Sequence, residues 1–144
     1  MFTGEHEHTI DDKGRLTLPS RIRDSLSGGI VLARGLDGQI DVYPRAVWDS
    51  VVQARLAELD PLSREARELR RFFFAGASDT EPDRQGRVLV PAPLARHARL
   101  EKDVVIAGVD DHLEIWDRQT WAEHLLRVEG SADHAAERVA DRRG

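Results

Sequence analysis

The stretch DDKGRLTLPS, residues 11–20, returns as DRQGRVLVPA at residues 83–92. Each copy spells Asp-x-x-Gly-Arg, then an alternating run, then a proline. The offset of 72 residues also relates Phe2 to Phe74, Gly4 to Gly76, Leu16 to Val88, Leu18 to Val90 and Ile22 to Leu94. With one residue inserted, the match continues through Gly35 and Gly108, Ile40 and Leu113, Asp41 and Glu114, Tyr43 and Trp116, and Trp48 and Trp121. The chain therefore holds two related units, roughly 2–48 and 74–121. A repeat of this kind decides the fold before any single element does.

Each unit reads the same way. An extended piece (2–10 or 74–81) leads into the Asp-x-x-Gly-Arg loop, where glycine supplies a backbone conformation with φ > 0. A short strand follows, Arg15–Leu18 or Arg87–Val90. Its period of two puts Leu16 and Leu18, or Val88 and Val90, on the core face and the arginine on the other. Pro19 or Pro91 ends the strand. The next element is a short helix, Ser20–Leu26 closed by Gly28-Gly29, or Pro93–Leu100 in the second unit. A hairpin completes the unit. Ile30–Ala33 and Gln39–Tyr43 flank a turn at Asp37-Gly38; Val104–Ala107 and Leu113–Trp116 flank Asp110-Asp111.

Between the units, Val47, Val51, Val52, Leu56 and Leu59 fall on one side of a helix over 45–59. Asp60-Pro61 reads as an N-cap with a first-turn proline, opening a second helix over 61–73. Phe72-Phe73-Phe74 marks the junction back to a strand and is expected in the core. The final segment, EGSADHAAERVADRRG, has few apolar residues and no period, and reads as a frayed or disordered tail. The domain organisation is a first unit over 1–48, a helical insert over 49–73, a second unit over 74–128 and a flexible tail over 129–144.

With 144 residues, 40% of them apolar and 33% charged, the chain can build one shared core. It contains no cysteine, which removes disulfides, thiolate zinc sites and cysteine nucleophiles. No apolar run is long enough to span a membrane. The segment MFTGEHEHTI lacks the pattern of a signal peptide, so a cytoplasmic protein is expected. The net charge of −5 argues against a generally basic nucleic-acid binder. A local patch is what holds phosphate, however, and nearly all the bases are arginines, suited to phosphates and guanine edges.

A unit of four short strands and one small helix buries little alone. Two such units sharing a core about a pseudo-two-fold axis bury more, and that axis would relate the two loops on one surface. Arg15 and Arg87 would project away from the core beside Lys13, Arg21 and Arg84. Asp11 and Asp83, four residues earlier, can accept loop N–H groups, pair with the arginine, or both. A buttressed guanidinium loses less freedom on binding.

FTGEHEHTIDDKGRLTLPSRIRD and FAGASDTEPDRQGRVLVPAPLARHARL, together with LEIWDRQTW, resemble the two halves of the MraZ family. The resemblance covers about Phe2 to Val128 and requires both motifs, their order and the insert between them. It implies an α+β, β-rich fold: two tandem AbrB-like swapped-hairpin units, related by a pseudo-two-fold, with an inserted helical pair. The implied function is sequence-specific transcriptional regulation, expected to be repression of the promoter of the family's own division and cell-wall gene cluster. The implied partners are double-stranded promoter DNA with short direct repeats and further copies of the chain in a ring, at the nucleoid. The family's DNA-contacting loop carries over onto Asp11, Gly14 and Arg15, and onto Asp83, Gly86 and Arg87. Lys13 matches a basic position of that loop, and Arg84 flanks it in the second unit, where Gln85 replaces the lysine.

Other readings have less support. The loops could be purely structural, giving a ring scaffold without DNA. An AbrB-type antitoxin would use its tail to hold a toxin, but 129–144 lacks an apolar pattern for that. His6 and His8 share a strand face without a third ligand at good spacing, so no metal is expected. His97, His112, His124 and His134 are scattered and read as surface residues. No nucleophile elbow or phosphate loop exists, so no enzyme activity, cofactor or small-molecule substrate is expected. Trp48, Trp116 and Trp121 read as core or interface residues.

Overall fold

The computed structural model describes residues 1–143 and is an α+β fold around one six-stranded antiparallel sheet. Its strands are β1 (Glu5–Thr9), β3 (Ile30–Arg34), β4 (Ile40–Pro44), β5 (Ser78–Thr80), β7 (Asp103–Val109) and β8 (His112–Asp117). They lie in the order β1-β7-β8-β4-β3-β5. The two hairpins, β3–β4 and β7–β8, meet in the middle with Asp41 opposite Glu114. The leading strand of each unit leaves its own hairpin and pairs with an outer strand of the sheet. β1 adds to β7 of the other unit, while β5 of the second unit adds to β3 of the first. Neither unit can close its sheet alone.

The two motif strands, β2 (Arg15–Thr17) and β6 (Arg87–Leu89), form a separate antiparallel ribbon with Leu16 opposite Val88. The expected alternation holds. Leu16, Leu18, Val88 and Val90 are buried, whereas Thr17 and Leu89 face out. These four apolar side chains join Ile30, Leu32, Ile40, Val42, Val104, Ile106, Leu113 and Ile115 from the inner sheet face in a single cluster. At about 1.5–3 kcal/mol for each such side chain removed from water, this shared core dominates the fold.

The inner face is closed by α1 (Ser20–Arg23), which tightens into a 3₁₀ turn at Asp24–Leu26, and by α5 (Ala92–His97). Both follow the prolines that end the ribbon strands, with Ile22, Leu26 and Leu94 pointing inward. α5 starts one residue earlier than the 93–100 expected from sequence and ends at His97, since Arg99 turns to φ +53°.

On the outer face, Val31 and Ala33 pack against Trp48, with Tyr43, Val52, Phe73 and Phe74 around them. The first insert helix runs as α2 (Arg45–Val47), a π-helical stretch Trp48–Gln53, and α3 (Ala54–Ala57). The second is α4 (Arg64–Arg70), which continues as a π-helical stretch through Ala75. It is capped by Ser63, whose hydroxyl accepts from the Ala66 N–H, and not by Asp60. Asp60 instead accepts the Leu62 N–H in a tight turn, a use of Asp that competes with capping in any Asp-Pro sequence. Phe72–Phe74 thus belong to the helix, half-buried against the sheet, rather than to the following strand.

The segment over 129–143, part of what the sequence reads as a frayed tail, is helical. A single helix, α6, covers Arg118–Arg143, while Gly144 lies outside the described residues. At 1.5 Å per residue it is about 39 Å long. Its distal half is exposed, so no apolar stripe was needed, and its alanines, glutamate and arginines are good helix formers. Helical propensity without amphipathicity leaves no period to read. Among the described residues no helix is long and apolar enough to cross a membrane.

Candidate nucleic-acid interface

The Asp-x-x-Gly-Arg loops are two copies of one hydrogen-bonded turn. In the first, the Asp11 N–H donates to the Arg15 carbonyl at 3.0 Å and the Gly14 N–H to the Asp11 carbonyl at 3.0 Å. Asp11 Oδ1 accepts the Lys13 and Arg15 N–H groups, both at 2.9 Å, and Oδ2 accepts Arg15 Nε–H at 2.8 Å. In the second, Asp83 Oδ1 accepts the Gln85 N–H at 2.9 Å and the Arg87 N–H at 2.8 Å, while Oδ2 accepts Arg87 Nε–H at 2.8 Å. The backbone N–H of the arginine, opposed by desolvation and aided by the guanidinium and the second loop N–H, holds each aspartate below the usual carboxylate range. Gly14 and Gly86 take φ +80° and +75°, the left-handed conformation that closes the turn.

The loops are joined across the pseudo-dyad. The Leu18 N–H donates to the Gly86 carbonyl and the Val90 N–H to the Gly14 carbonyl, both at 2.9 Å. Each glycine of one unit therefore terminates the strand of the other. The ribbon pairs Arg15 with Leu89 and Thr17 with Arg87, so the two arginines stand diagonally on its outer face. Their side chains are about one-third exposed. Each uses Nε on its aspartate, and among the described residues neither Nη group of either arginine has a protein hydrogen-bond partner. The fork end is thus oriented and open.

The structure brings together all eight residues singled out from sequence: Asp11, Lys13, Gly14 and Arg15 in one loop, and Asp83, Arg84, Gly86 and Arg87 in the other. Lys13 and Arg84 are exposed at the loop tips. The two units differ here, because the repeat equivalent of Lys13 is Gln85 and that of Asp12 is Arg84. Arg21, also noted from sequence, lies with Nη2 3.1 Å from His6 Nε2.

Arg23 was missed. It leaves α1, donates Nε–H to the Leu18 carbonyl at 3.0 Å, and fills the space where a Cβ on Gly86 would lie. Leu89, directly opposite Arg15 and 56% exposed, was not singled out from sequence either. An apolar residue at an outward position was the available signal for Leu89. For Arg23 there was none, because its approach to Gly86 is to the other unit.

The family model described as "MraZ protein, putative antitoxin-like" matches twice, over residues 1–72 and 73–143, the two halves that the repeat defines. Proteins named "Transcriptional regulator MraZ" are similar along almost the whole chain. The one from Heliobacterium modesticaldum is 45% identical over 141 residues, covering 98% of each chain. That from Roseiflexus castenholzii is 44% identical over 143 residues, covering 99% of each. That from Moorella thermoacetica is 44% identical over 141 residues, again 98% of each. With a double family match, identity of 44–45% and nearly end-to-end coverage, this chain belongs to the MraZ family.

Proposed function

We propose that this chain is a sequence-specific DNA-binding transcriptional regulator that reads promoter DNA with its paired Asp-x-x-Gly-Arg loops. The observation that carries the reading is the ribbon: two arginines on one outward face, each held by an aspartate through Nε and presenting its Nη groups. A two-stranded ribbon fits the major groove, and an oriented guanidinium can engage guanine O6 and N7 together. Thr17 and Leu89 offer methyl groups between the arginines, a match for thymine. Lys13 and Arg84 in the loops and Arg23 beside Gly86 are the phosphate contacts. The exchange of β1 and β5 between the halves supports a swapped-hairpin ancestry. The names of the relatives support the regulatory role.

One ribbon makes few base contacts, so a single chain binds weakly. Copies arranged in a ring would meet tandem direct repeats with avidity, and repression of its own promoter at the nucleoid follows from occupying that site. The acidic remainder of the surface, at net −5, limits non-specific binding. The second reading, an antitoxin, is favoured by the exposed distal half of α6, where Val139 is 51% exposed. Deleting 129–144 abolishes partner capture in that case and spares DNA binding in ours.

The test is fluorescence anisotropy with DNA from upstream of the protein's own gene, a scrambled duplex and two salt concentrations. Arg15→Ala and Arg87→Ala are each expected to cost about 1–3 kcal/mol of specific binding, a loss of about 5–150-fold, at unchanged Tm. Equal binding of both duplexes, or arginine variants that bind like wild type, would make the loops structural and the ring a scaffold.

A further inference from the structure

The other face of the sheet holds a second constellation, on the same pseudo-dyad. Asp41 and Glu114 are repeat equivalents and stand directly opposite each other where β4 meets β8. Two residues before them, Gln39 and His112 are also repeat equivalents. The period of two sends all four side chains to the outer face, while Ile40, Val42, Leu113 and Ile115 go to the core. Among the described residues, Asp41, His112 and Glu114 are the group whose ligand atoms all converge within 4.8 Å.

Their arrangement is that of a ligand set held from behind. His112 Nε2 lies 3.3 Å from Glu114 Oε2 and 3.7 Å from Asp41 Oδ1. The edges of a tetrahedral zinc site with bonds of 2.0–2.2 Å are about 3.3–3.6 Å. His112 Nδ1 is engaged at 2.7 Å by the Asp111 carboxylate, which leaves Nε2 to face the group. This is the carboxylate–histidine support found behind metal ligands. Tyr43 stacks on the His112 ring at 4.7 Å between centroids and sets its plane. Trp116 Nε1–H donates to Glu114 Oε1 at 3.0 Å, so Oε2 is the oxygen turned toward His112 Nε2, 3.3 Å away. Gln39 Nε2–H donates to Asp41 Oδ1 at 3.1 Å and to Glu114 Oε2 at 3.2 Å, and each of those oxygens keeps a further lone pair.

Asp41 and His112 are also reachable. A cavity of about 470 Å³ opens between the insert helices and the sheet, walled by Val52, Leu56 and Phe73 and floored by Gln39, Asp41 and His112. It has room for an entering ion and for the water that completes a three-ligand shell.

We propose that Asp41, His112 and Glu114 bind a divalent transition-metal ion of the zinc class at the seam between the two halves. One ligand comes from the first unit and two from the second, so the ion clamps β4 to β8 and ties the units together on the face opposite the ribbon. His6 and His8, the pair on one strand face, take no part; the His6 ring is engaged by Arg21. The inference is independent of the DNA reading.

The test uses the full chain, stripped with chelator and titrated with Co²⁺, followed by visible d–d absorption. Zn²⁺ displacement and Tm are measured in parallel, with Mg²⁺ for comparison. The expected result is one Co²⁺ per chain with the intense band of a low-coordinate ion, displaced by Zn²⁺, and a Tm raised by Zn²⁺ but not by Mg²⁺. Asp41→Asn and Glu114→Gln, each close to isosteric, should weaken binding by more than about 100-fold, and Asp111→Asn by about 10–100-fold. The double variant H6Q/H8Q should bind as wild type. Far-UV circular dichroism of the metal-free variants checks folding; if one fails to fold, the other decides. No band and no zinc-dependent Tm shift would overturn the proposal, as would binding that survives both ligand variants or is lost in H6Q/H8Q.

Discussion

Gly14 and Gly86 are repeat equivalents with nearly the same φ, yet replacing each by alanine should cost different amounts. Both substitutions force a Cβ into the left-handed region, at about 1–2 kcal/mol. At Gly14 the new methyl meets the Val90 carbonyl oxygen at 3.4 Å and Leu89 Cδ1 at 3.7 Å, so it fits and the conformational cost is nearly all. At Gly86 the methyl would fall on the Arg23 guanidinium, which must swing away and give up its bond to the Leu18 carbonyl. A hydrogen bond from a charged group is worth about 1.5–3 kcal/mol, and the partly buried arginine recovers part of that from water. Gly86→Ala should therefore be less stable than Gly14→Ala by about 1–2 kcal/mol. Urea unfolding of the two variants measures the difference, and Arg23→Ala supplies the control. In the Arg23→Ala background the steric obstacle is gone, and the cost of Gly86→Ala should fall to that of Gly14→Ala. Equal destabilisation in the wild-type background, or a cost at Gly86 that persists without Arg23, would refute the reasoning. DNA binding by the same variants then reports whether Arg23 has a second role beside the loop.

Two further outcomes follow from the geometry. Asp11 and Asp83 titrate below their unfolded values, so the stability they contribute is complete above about pH 4 and is lost as the pH falls through their depressed folded values; urea midpoints between pH 7 and pH 3 should drop less steeply for Asp11→Asn/Asp83→Asn than for wild type, and parallel slopes would refute this. Leu16→Ala empties a fully buried position on the pseudo-dyad of the ribbon and should cost about 2–5 kcal/mol by denaturant unfolding, whereas Thr17→Ala on the exposed side should stay within about 0.5 kcal/mol.

What the sequence determined by itself is local or repeated. Asp11, Gly14 and Arg15 bond to one another within five residues, and so do Asp83, Gly86 and Arg87, so the spacing alone carries the turn. Alternation in LTL and VLV assigns the core face because a strand has period two. The 72-residue offset, read twice, implies a shared core and a dyad, and from that the meeting of the two loops. The tertiary structure decided everything that depends on the other unit. The loops predict no direction for β1 and β5, which cross to the far hairpins because pairing there closes a six-stranded sheet. Arg23 reaches Gly86 across the dyad, and no spacing within one unit announces that contact. His112 was read as a surface residue; the sheet instead folds it against Asp41 and Tyr43, and only the β4–β8 register brings Gln39 within hydrogen-bond reach of Glu114, 75 residues away. The distal part of α6 was illegible for the opposite reason: with no neighbour to bury, it carries no pattern, and its helix rests on propensity alone.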